Sequence, residues 1–247
     1  MRDLGGTPTE DGGQIVPHRL LRSDNLQGLT ASDVEMLTGE YGVTTIVDLR
    51  TTGEVEKEGP GRLDTVPGIR HVCHPVLPVF PSRKDEVARA LLTEKLARDS
   101  ARYPDDPTTG HYLGYLEDRP EEVTGALRSI ATSVGAVIVN CAAGKDRTGV
   151  LVAMALTAAG VGQEAVVDDY AASAERIDAV IARLTGSRTY AEDTQDKPVG
   201  AHAPRSETMK AFLEQLDARY GGLTRWLEDH GFGAGDVTRL RAFLREP

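Results

Sequence analysis

The stretch Val139-Asn140-Cys141-Ala142-Ala143-Gly144-Lys145-Asp146-Arg147-Thr148-Gly149 limits what this chain can fold into more than any other segment. It places Cys141 six positions before Arg147, with small residues leading the way between them. On its N-terminal side, residues 136–139 are apolar and mostly β-branched, the pattern of a buried strand. On its C-terminal side, residues 149–159 are so apolar that a helix there must be buried. A strand, a tight loop and a buried helix aim backbone N–H groups and a helix N-terminus at one point. Such a point binds anions, phosphate above all. Cys141 stands at the mouth of that cradle, where the same dipoles, with Lys145 and Arg147, favour its thiolate.

The length of 247 residues is enough to bury a proper core, and with no domain boundary visible a single domain over 1–247 is expected. No run approaches the roughly 20 apolar residues of a membrane span. The start, Met1-Arg2-Asp3-Leu4-Gly5-Gly6, lacks the apolar centre of a secretory leader. Two cysteines make no disulfide scaffold, so a reducing, cytoplasmic setting is expected, with no stable membrane insertion. The formal net charge of -10 argues against nucleic acid as a partner, since such binding rests on clustered Lys and Arg. It also means that an anionic substrate must be drawn by a local positive site, and the Lys145/Arg147 loop is the candidate.

Periodicity outlines the rest. A short strand is expected at 20–22, and Thr30 with Asp33 reads as a capping box opening a helix that ends near Gly42. Residues 43–49 are β-branched and apolar, a central strand, and 69–76 read as another. The segment 83–98 carries Val87, Ala88, Leu91, Leu92 and Leu96 at helical spacing with charges opposite, an amphipathic helix packed on the core; a helical lid over 83–102 is the alternative. Further helices are expected at 109–117, at 120–133 with Pro120 at its first position, and at 163–174 and 175–184. A polar loop follows over 186–204. Ser206 is expected to cap a helix running to Tyr220, which Gly221 and Gly222 stop, before two short helices over 223–230 and 236–244. Early strands with many helices imply an α/β fold.

The loop permits nucleophilic chemistry. Cys141 attacking phosphorus splits one hard displacement into two easier ones. Arg147 suits the planar, bidentate demand of a phosphoryl group. Ala142, Ala143 and Gly144 are small enough for the backbone to close on the phosphate oxygens, with Lys145 and Thr148 completing the phosphate-binding set. Thr148 is expected to donate its hydroxyl to the Cys141 sulfur. The general acid is either Asp146, in the loop, or Asp48, at the end of the 43–49 strand where α/β sites collect. For Asp48 the competing reading is an ion pair with Arg50, and for Lys145 a local pairing with Asp146. Tyr112, Tyr115 and Tyr170 fall at helical positions and read as core. The six histidines show no metal-site spacing, and neither metal nor cofactor is expected.

Residues 140–149 resemble the signature of the protein tyrosine phosphatase superfamily, in the Gly144-Lys145-Asp146-Arg147-Thr148-Gly149 form typical of atypical bacterial tyrosine phosphatases. Arg2-Asp3-Leu4-Gly5-Gly6, Leu21-Arg22-Ser23, Val47-Asp48-Leu49-Arg50 with Glu54, Asp169-Tyr170, and Glu207-Thr208-Met209 through Tyr220-Gly221-Gly222 resemble other elements of that family. The likeness runs from about residue 2 to 245. It implies a central mixed, mainly parallel sheet flanked by helices, and a metal-independent phosphatase working through Cys141 and Arg147. The partner it implies is a phosphorylated protein or a small phosphorylated substrate, and it raises the lid reading of 83–102. Asn140 departs from the family, which usually has His before the cysteine. Asn never carries positive charge, so activity is expected to be modest or shifted to higher pH. Cys73, the other sulfur, is read as a packed residue. In some superfamily members a second cysteine pairs reversibly with the nucleophile.

The leading expectation is hydrolysis of protein phosphotyrosine. Phosphoinositides and small sugar or nucleoside phosphates remain alternatives of the same chemistry. A phosphate-recognition module with little turnover is the alternative of a different class. Sulfur transfer of the rhodanese kind is disfavoured by the Lys145-Asp146-Arg147-Thr148-Gly149 continuation.

Overall fold

In the computed structural model, which describes residues 1–78, 86–191 and 199–245 (the side chains of 86–89, 92, 199 and 201 excepted), the run before the cysteine is the middle strand of a sheet. The strands are β1 (Arg2–Asp3), β2 (Leu20–Ser23), β3 (Val43–Asp48), β4 (Arg70–Cys73) and β5 (Ala136–Asn140), in the order β1-β2-β5-β3-β4. β1 runs antiparallel to β2 and every other pair is parallel, the expected mixed, mainly parallel sheet. Every residue of β5 is buried. Val137 and Val139 face one core with Leu20, Val47 and Leu49; Ala136 and Ile138 face the other with Leu21, Val43 and Ile46. Burial on both faces is why this strand shows no polar alternation.

The chain leaves β2, skips one place to β3, and later returns to insert β5 between them. That reversal opens a crevice at the carboxyl edge of the sheet. The register there aligns Ser23, Asn140, Asp48 and Cys73 as cross-strand neighbours.

Helices cover both faces. α1 (Ala31–Glu35) opens on the expected Thr30–Asp33 capping box and passes into a π-turn over Met36–Glu40. α2 (Thr52–Glu58), α3 (Glu86–Arg102), α4 (Pro107–Asp118), α5 (Pro120–Ala131), α6 (Asp146–Ala158), α7 (Gln163–Ala171), α8 (Ile177–Thr185), α9 (Ser206–Tyr220), α10 (Leu223–Asp229) and α11 (Ala234–Leu244) follow. The buried helix expected after the loop is α6, whose residues are nearly all inaccessible to solvent. α9 stops at Gly221, which takes the left-handed conformation at φ 74°. Its start differs from expectation: Arg205 is the cap and Ser206 the first helical residue, because the Thr208 N–H already bonds the Arg205 carbonyl at 3.0 Å.

α3 corrects a larger expectation. Its Leu91 and Leu96 are 44% and 46% exposed, so they are not core residues. The helix docks on α4 through charge instead. Buried Lys95 bonds Asp99 at 2.6 Å and Asp118 at 2.7 Å, and Arg102 bonds both Asp99 and Glu117. Gly110 and Gly114 of α4 allow the close approach, since a Cβ at either would run into Asp99. The surface α3 meets is acidic and small rather than apolar, and Leu91 and Leu96 therefore turn outward, while the side chains of Val87, Ala88 and Leu92 lie outside the described residues. Residues 83–85 of the expected lid, and 192–198 of the expected polar loop, lie outside the described residues.

Candidate active site

β5 delivers Cys141 to the carboxyl edge, and α6 begins five residues later at Asp146. The first-turn N–H groups of α6 have no intrahelical acceptor; they sit at the end of the helix nearest the loop. The turn between needs Gly144. Its φ is 64°, and a Cβ there would lie 2.5 Å from the Asp24 nitrogen and 2.6 Å from the Ser23 carbonyl. Neighbouring segments hold the loop's carbonyls: Arg22 donates to Gly144 O at 2.8 Å, Arg183 to Ala142 O at 2.9 Å, and the Asn25 N–H to Ala142 O at 3.2 Å. With its carbonyls pulled outward, the loop's N–H groups are left to the inside of the curve. Asp169 of α7 in turn grips Arg22 and Arg2.

Arg147 is buried beside the loop and clamped by Glu54, each terminal nitrogen 2.8 Å from one carboxylate oxygen. Glu54 also closes the capping box of α2, accepting from the N–H and hydroxyl of Thr51. Burial works to raise the Glu54 pKa, but the Arg147 charge and hydrogen bonds, with those of Thr51, outweigh it and hold it at about 2. An ionised Glu54 therefore fixes the guanidinium plane at any working pH. The Thr51-x-x-Glu54 spacing is a capping signal that the sequence reading missed; the reach to Arg147 across 93 residues leaves no signal in the sequence.

The two candidate acids part company. Asp146 is at the loop–helix junction with its side chain 33% exposed, near Lys145 at 3.4 Å. The buried Tyr112 hydroxyl donates to Asp146 Oδ1 at 2.6 Å and meets the Tyr170 hydroxyl at 2.7 Å. Asp48 is fully buried. Its carboxylate accepts from Arg50 Nε at 2.9 Å and Nη2 at 2.6 Å, and lies 3.3 Å from His71 Nε2. Burial opposes its ionisation, yet the His71 and Arg50 bonds prevail and keep its pKa well below the usual carboxylate range. The geometry of Asp48 is that of the ion pair with Arg50. It is not presented to a leaving group.

Other expectations are met in part. Lys145 pairs with Asp146 and donates to the His202 carbonyl at 2.7 Å, so its charge is shared with the turn at Val199–His202. Thr148 Oγ1 is buried and has no hydrogen-bond partner among the described residues, so the bond to the Cys141 sulfur is not made. Helix geometry explains this: Thr148 is in the first turn of α6, its backbone set by packing along α6 rather than by the sulfur. Asn140 is fully buried, and neither its amide nitrogen nor its oxygen finds a partner among the described residues. Tyr112, Tyr115 and Tyr170 are buried as expected, although two of them also carry the hydroxyl chain to Asp146.

Cys73 and Cys141 are both free. β4 and β5 are separated by β3, roughly 10 Å by strand spacing, more than a disulfide spans. Cys73 is exposed at the end of the edge strand rather than packed as expected; its thiol donates to the Arg50 carbonyl at 3.4 Å, and partial desolvation with nearby Asp48 pushes its pKa up to about 11. A link to Cys141 would require β4 to leave the sheet.

What lies against the loop is a feature the sequence reading missed. Ala142 packs with Ile177, Ile181 and Leu184 of α8 and with Tyr190, and Ala143 joins the same cluster. Cys141 is only 2% exposed. α8 thus packs on the two alanines of the loop, beside the Val199–His202 turn held by Lys145, whereas Cys141 itself is buried with the main core. The spacing of Ile177, Ile181 and Leu184 marks an apolar stripe, the signal that could have identified it.

The tyrosine phosphatase family profile matches residues 1–246. The chain is 29% identical to the triple specificity protein phosphatase PtpB of Mycobacterium tuberculosis, over 98% of this chain and 95% of that one. It is 28% identical to a tyrosine-protein phosphatase of Nostoc commune, over 91% of this chain and 73% of that one.

Proposed function

This chain belongs to the tyrosine phosphatase family, and from that premise we propose that it hydrolyses phosphate monoesters through a cysteinyl-phosphate, with protein phosphotyrosine as the leading substrate. The observation that carries the reading is the junction itself: Cys141 directly follows the central strand, and Arg147, braced by Glu54, lies in the first turn of a helix whose N-terminus meets the same loop.

In the proposed reaction the Cys141 thiolate attacks phosphorus, and the phosphoryl group is held by loop N–H groups and by the Arg147 donors that Glu54 and Leu49 leave free. The S–P bond forms as the P–O bond to the leaving group breaks, and the Asp146 carboxyl passes its proton to the departing oxygen. Water then attacks phosphorus, Asp146 takes a proton from it, and the S–P bond breaks to return thiolate and inorganic phosphate. Asp146 is assigned this role over Asp48 because its carboxylate is partly exposed at the loop, whereas that of Asp48 is consumed by Arg50 and His71. Arg147 holds phosphoryl oxygens, and Ala142, Ala143 and Gly144 offer backbone without side-chain bulk. Neither metal nor cofactor enters these steps.

A broader substrate range is the second reading. It is favoured by the similarity to the Mycobacterium tuberculosis relative, a triple specificity protein phosphatase, and it extends the proposal to phosphoserine, phosphothreonine or non-protein phosphate monoesters. The test is a panel of phosphotyrosyl and phosphoseryl peptides, phosphoinositides and sugar or nucleoside phosphates, run on wild type and Cys141→Ser. Turnover of phosphotyrosyl peptide that vanishes in Cys141→Ser is expected. Tight phosphopeptide binding without turnover in the wild type would instead establish a recognition module, and turnover that survives Cys141→Ser would overturn the covalent route.

A further inference from the structure

Asp146 does not stand alone. The only hydroxyl proton of Tyr112 goes to Asp146 Oδ1, so in the 2.7 Å contact between the two phenols Tyr170 must be the donor and Tyr112 the acceptor. The result is an ordered chain, Tyr170 to Tyr112 to Asp146, drawn from three helices: α7, α4 and the start of α6. The first two members are buried, at 2% and 0% exposure. Burial, the largest influence on each, keeps both phenols protonated far above neutrality, so they act as donors and never as phenolates.

We propose that Tyr112, oriented by Tyr170, is the positioning residue that aims Asp146 at the leaving group. This rests on the phosphatase reading above, with Asp146 as proton donor.

Three observations support it. Asp146 is in the first turn of α6, and among the described residues its other ion-pair neighbour is Lys145, at 3.4 Å and already committed to the His202 carbonyl. The 2.6 Å bond from Tyr112 is therefore the shortest constraint on the carboxylate among the described residues. Tyr112 is itself immobilised, with Tyr170 and Phe212 edge-on at 6.2 and 6.1 Å and Tyr115 tilted against it at 5.9 Å. Tyr170 is fixed by the near-contact of its ring with Gly149 of α6, where a Cβ would lie 2.8 Å from Cδ2. A carboxyl that must deliver a proton along one line gains from an anchor that cannot turn. The same anchor steadies the carboxylate left once the proton has gone, because the Tyr112 hydroxyl already points at it.

The adjacent residue completes the arrangement. Asp169 holds Arg22, which holds Gly144 O, so the Asp169-Tyr170 pair of α7 reaches both the middle and the end of the loop.

The test is a comparison of two substrates with the same phosphoryl group: p-nitrophenyl phosphate, whose leaving group departs with little help from an acid, and phenyl phosphate, whose leaving group needs the proton. Tyr112→Phe keeps the ring and its packing. It is expected to lower kcat/KM, which reports the steps up to departure of the leaving group, about tenfold on phenyl phosphate, the scale of one hydrogen bond to a charged group, and less than about threefold on p-nitrophenyl phosphate. Tyr170→Phe is expected to give the same ordering with smaller losses, and carries the test if Tyr112→Phe does not fold. In the Asp146→Asn background Tyr112→Phe should change neither rate, since the residue it positions is gone. Equal losses on both substrates, or an undiminished effect of Tyr112→Phe in Asp146→Asn, would overturn the positioning role alone. A folded wild type that turns over neither substrate would overturn the phosphatase reading and this one with it.

Discussion

At the scale of single residues, two aspartates of similar promise in the sequence have different surroundings. Asp146→Asn is expected to cut turnover of a phosphotyrosyl peptide about 10²- to 10⁴-fold, the range for a general acid, with little change in melting temperature. Asp48→Asn should do the reverse, lowering the melting temperature by leaving Arg50 buried and short of its charge, while the protein that stays folded keeps its activity. Activity assays beside thermal melts of both variants decide this, and an Asp48→Asn protein that is stable but inactive would reverse the assignment. Cys141, Arg147 and Gly144 were legible as members of one strand–loop–helix junction because their spacing sets its geometry. Glu54, Arg22, Asp169 and the hydroxyls of Tyr112 and Tyr170 were not legible as site residues, since each acts across a long stretch of chain and only the fold brings it near. Asn140 belongs to this scale too. Its unpartnered amide offers the loop no charge, and Asn140→His is expected to extend activity toward lower pH in a pH–rate profile; superimposable profiles would contradict this.

At the scale of elements, the strands and the buried helix α6 followed from hydrophobic pattern, because burial on both faces leaves little choice of period. α3 shows where pattern fails. Its leucines had helical spacing, but the surface of α4 that receives it is Gly110, Gly114, Glu117 and Asp118, and a charged face won the contact. α8, which reads only as one more amphipathic helix, packs beside the cradle because the alanines of the loop give its isoleucines a surface. Ile181→Ala is expected to loosen that packing. The rate of Cys141 alkylation by iodoacetamide should rise several-fold, and inorganic phosphate should protect against it. An unchanged alkylation rate would mean that α8 does not control access to the thiol.

At the scale of the molecule, β3 ends in Asp48, which meets His71 of β4, and leads into α2 with Glu54, and these groups tie stability to pH. The bond to Asp48, with Asp64 nearby, raises the His71 pKa despite the opposing effect of burial. Its stabilisation is therefore complete below its ordinary value of about 6.5 and is lost as pH rises through the higher folded value. Glu54 has the opposite sign: lowered to about 2, it stabilises above its ordinary value of about 4.3 and that contribution is lost as pH falls toward 2. Melting temperature should thus decline on the acid side, and on the basic side show a slope above about pH 6.5 that His71→Gln removes; an identical basic slope in His71→Gln would refute the linkage. The carboxyl edge of the sheet, where β3 ends, also holds the loop on which the functional reading depends. That reading is tested most directly by rapid acid quench of the enzyme during turnover of a phosphotyrosyl peptide, followed by mapping of the trapped phosphate by mass spectrometry. The phosphate is expected on the Cys141 sulfur in wild type and absent in Cys141→Ser, whereas phosphate trapped on another residue, or turnover that persists in Cys141→Ser, would contradict it.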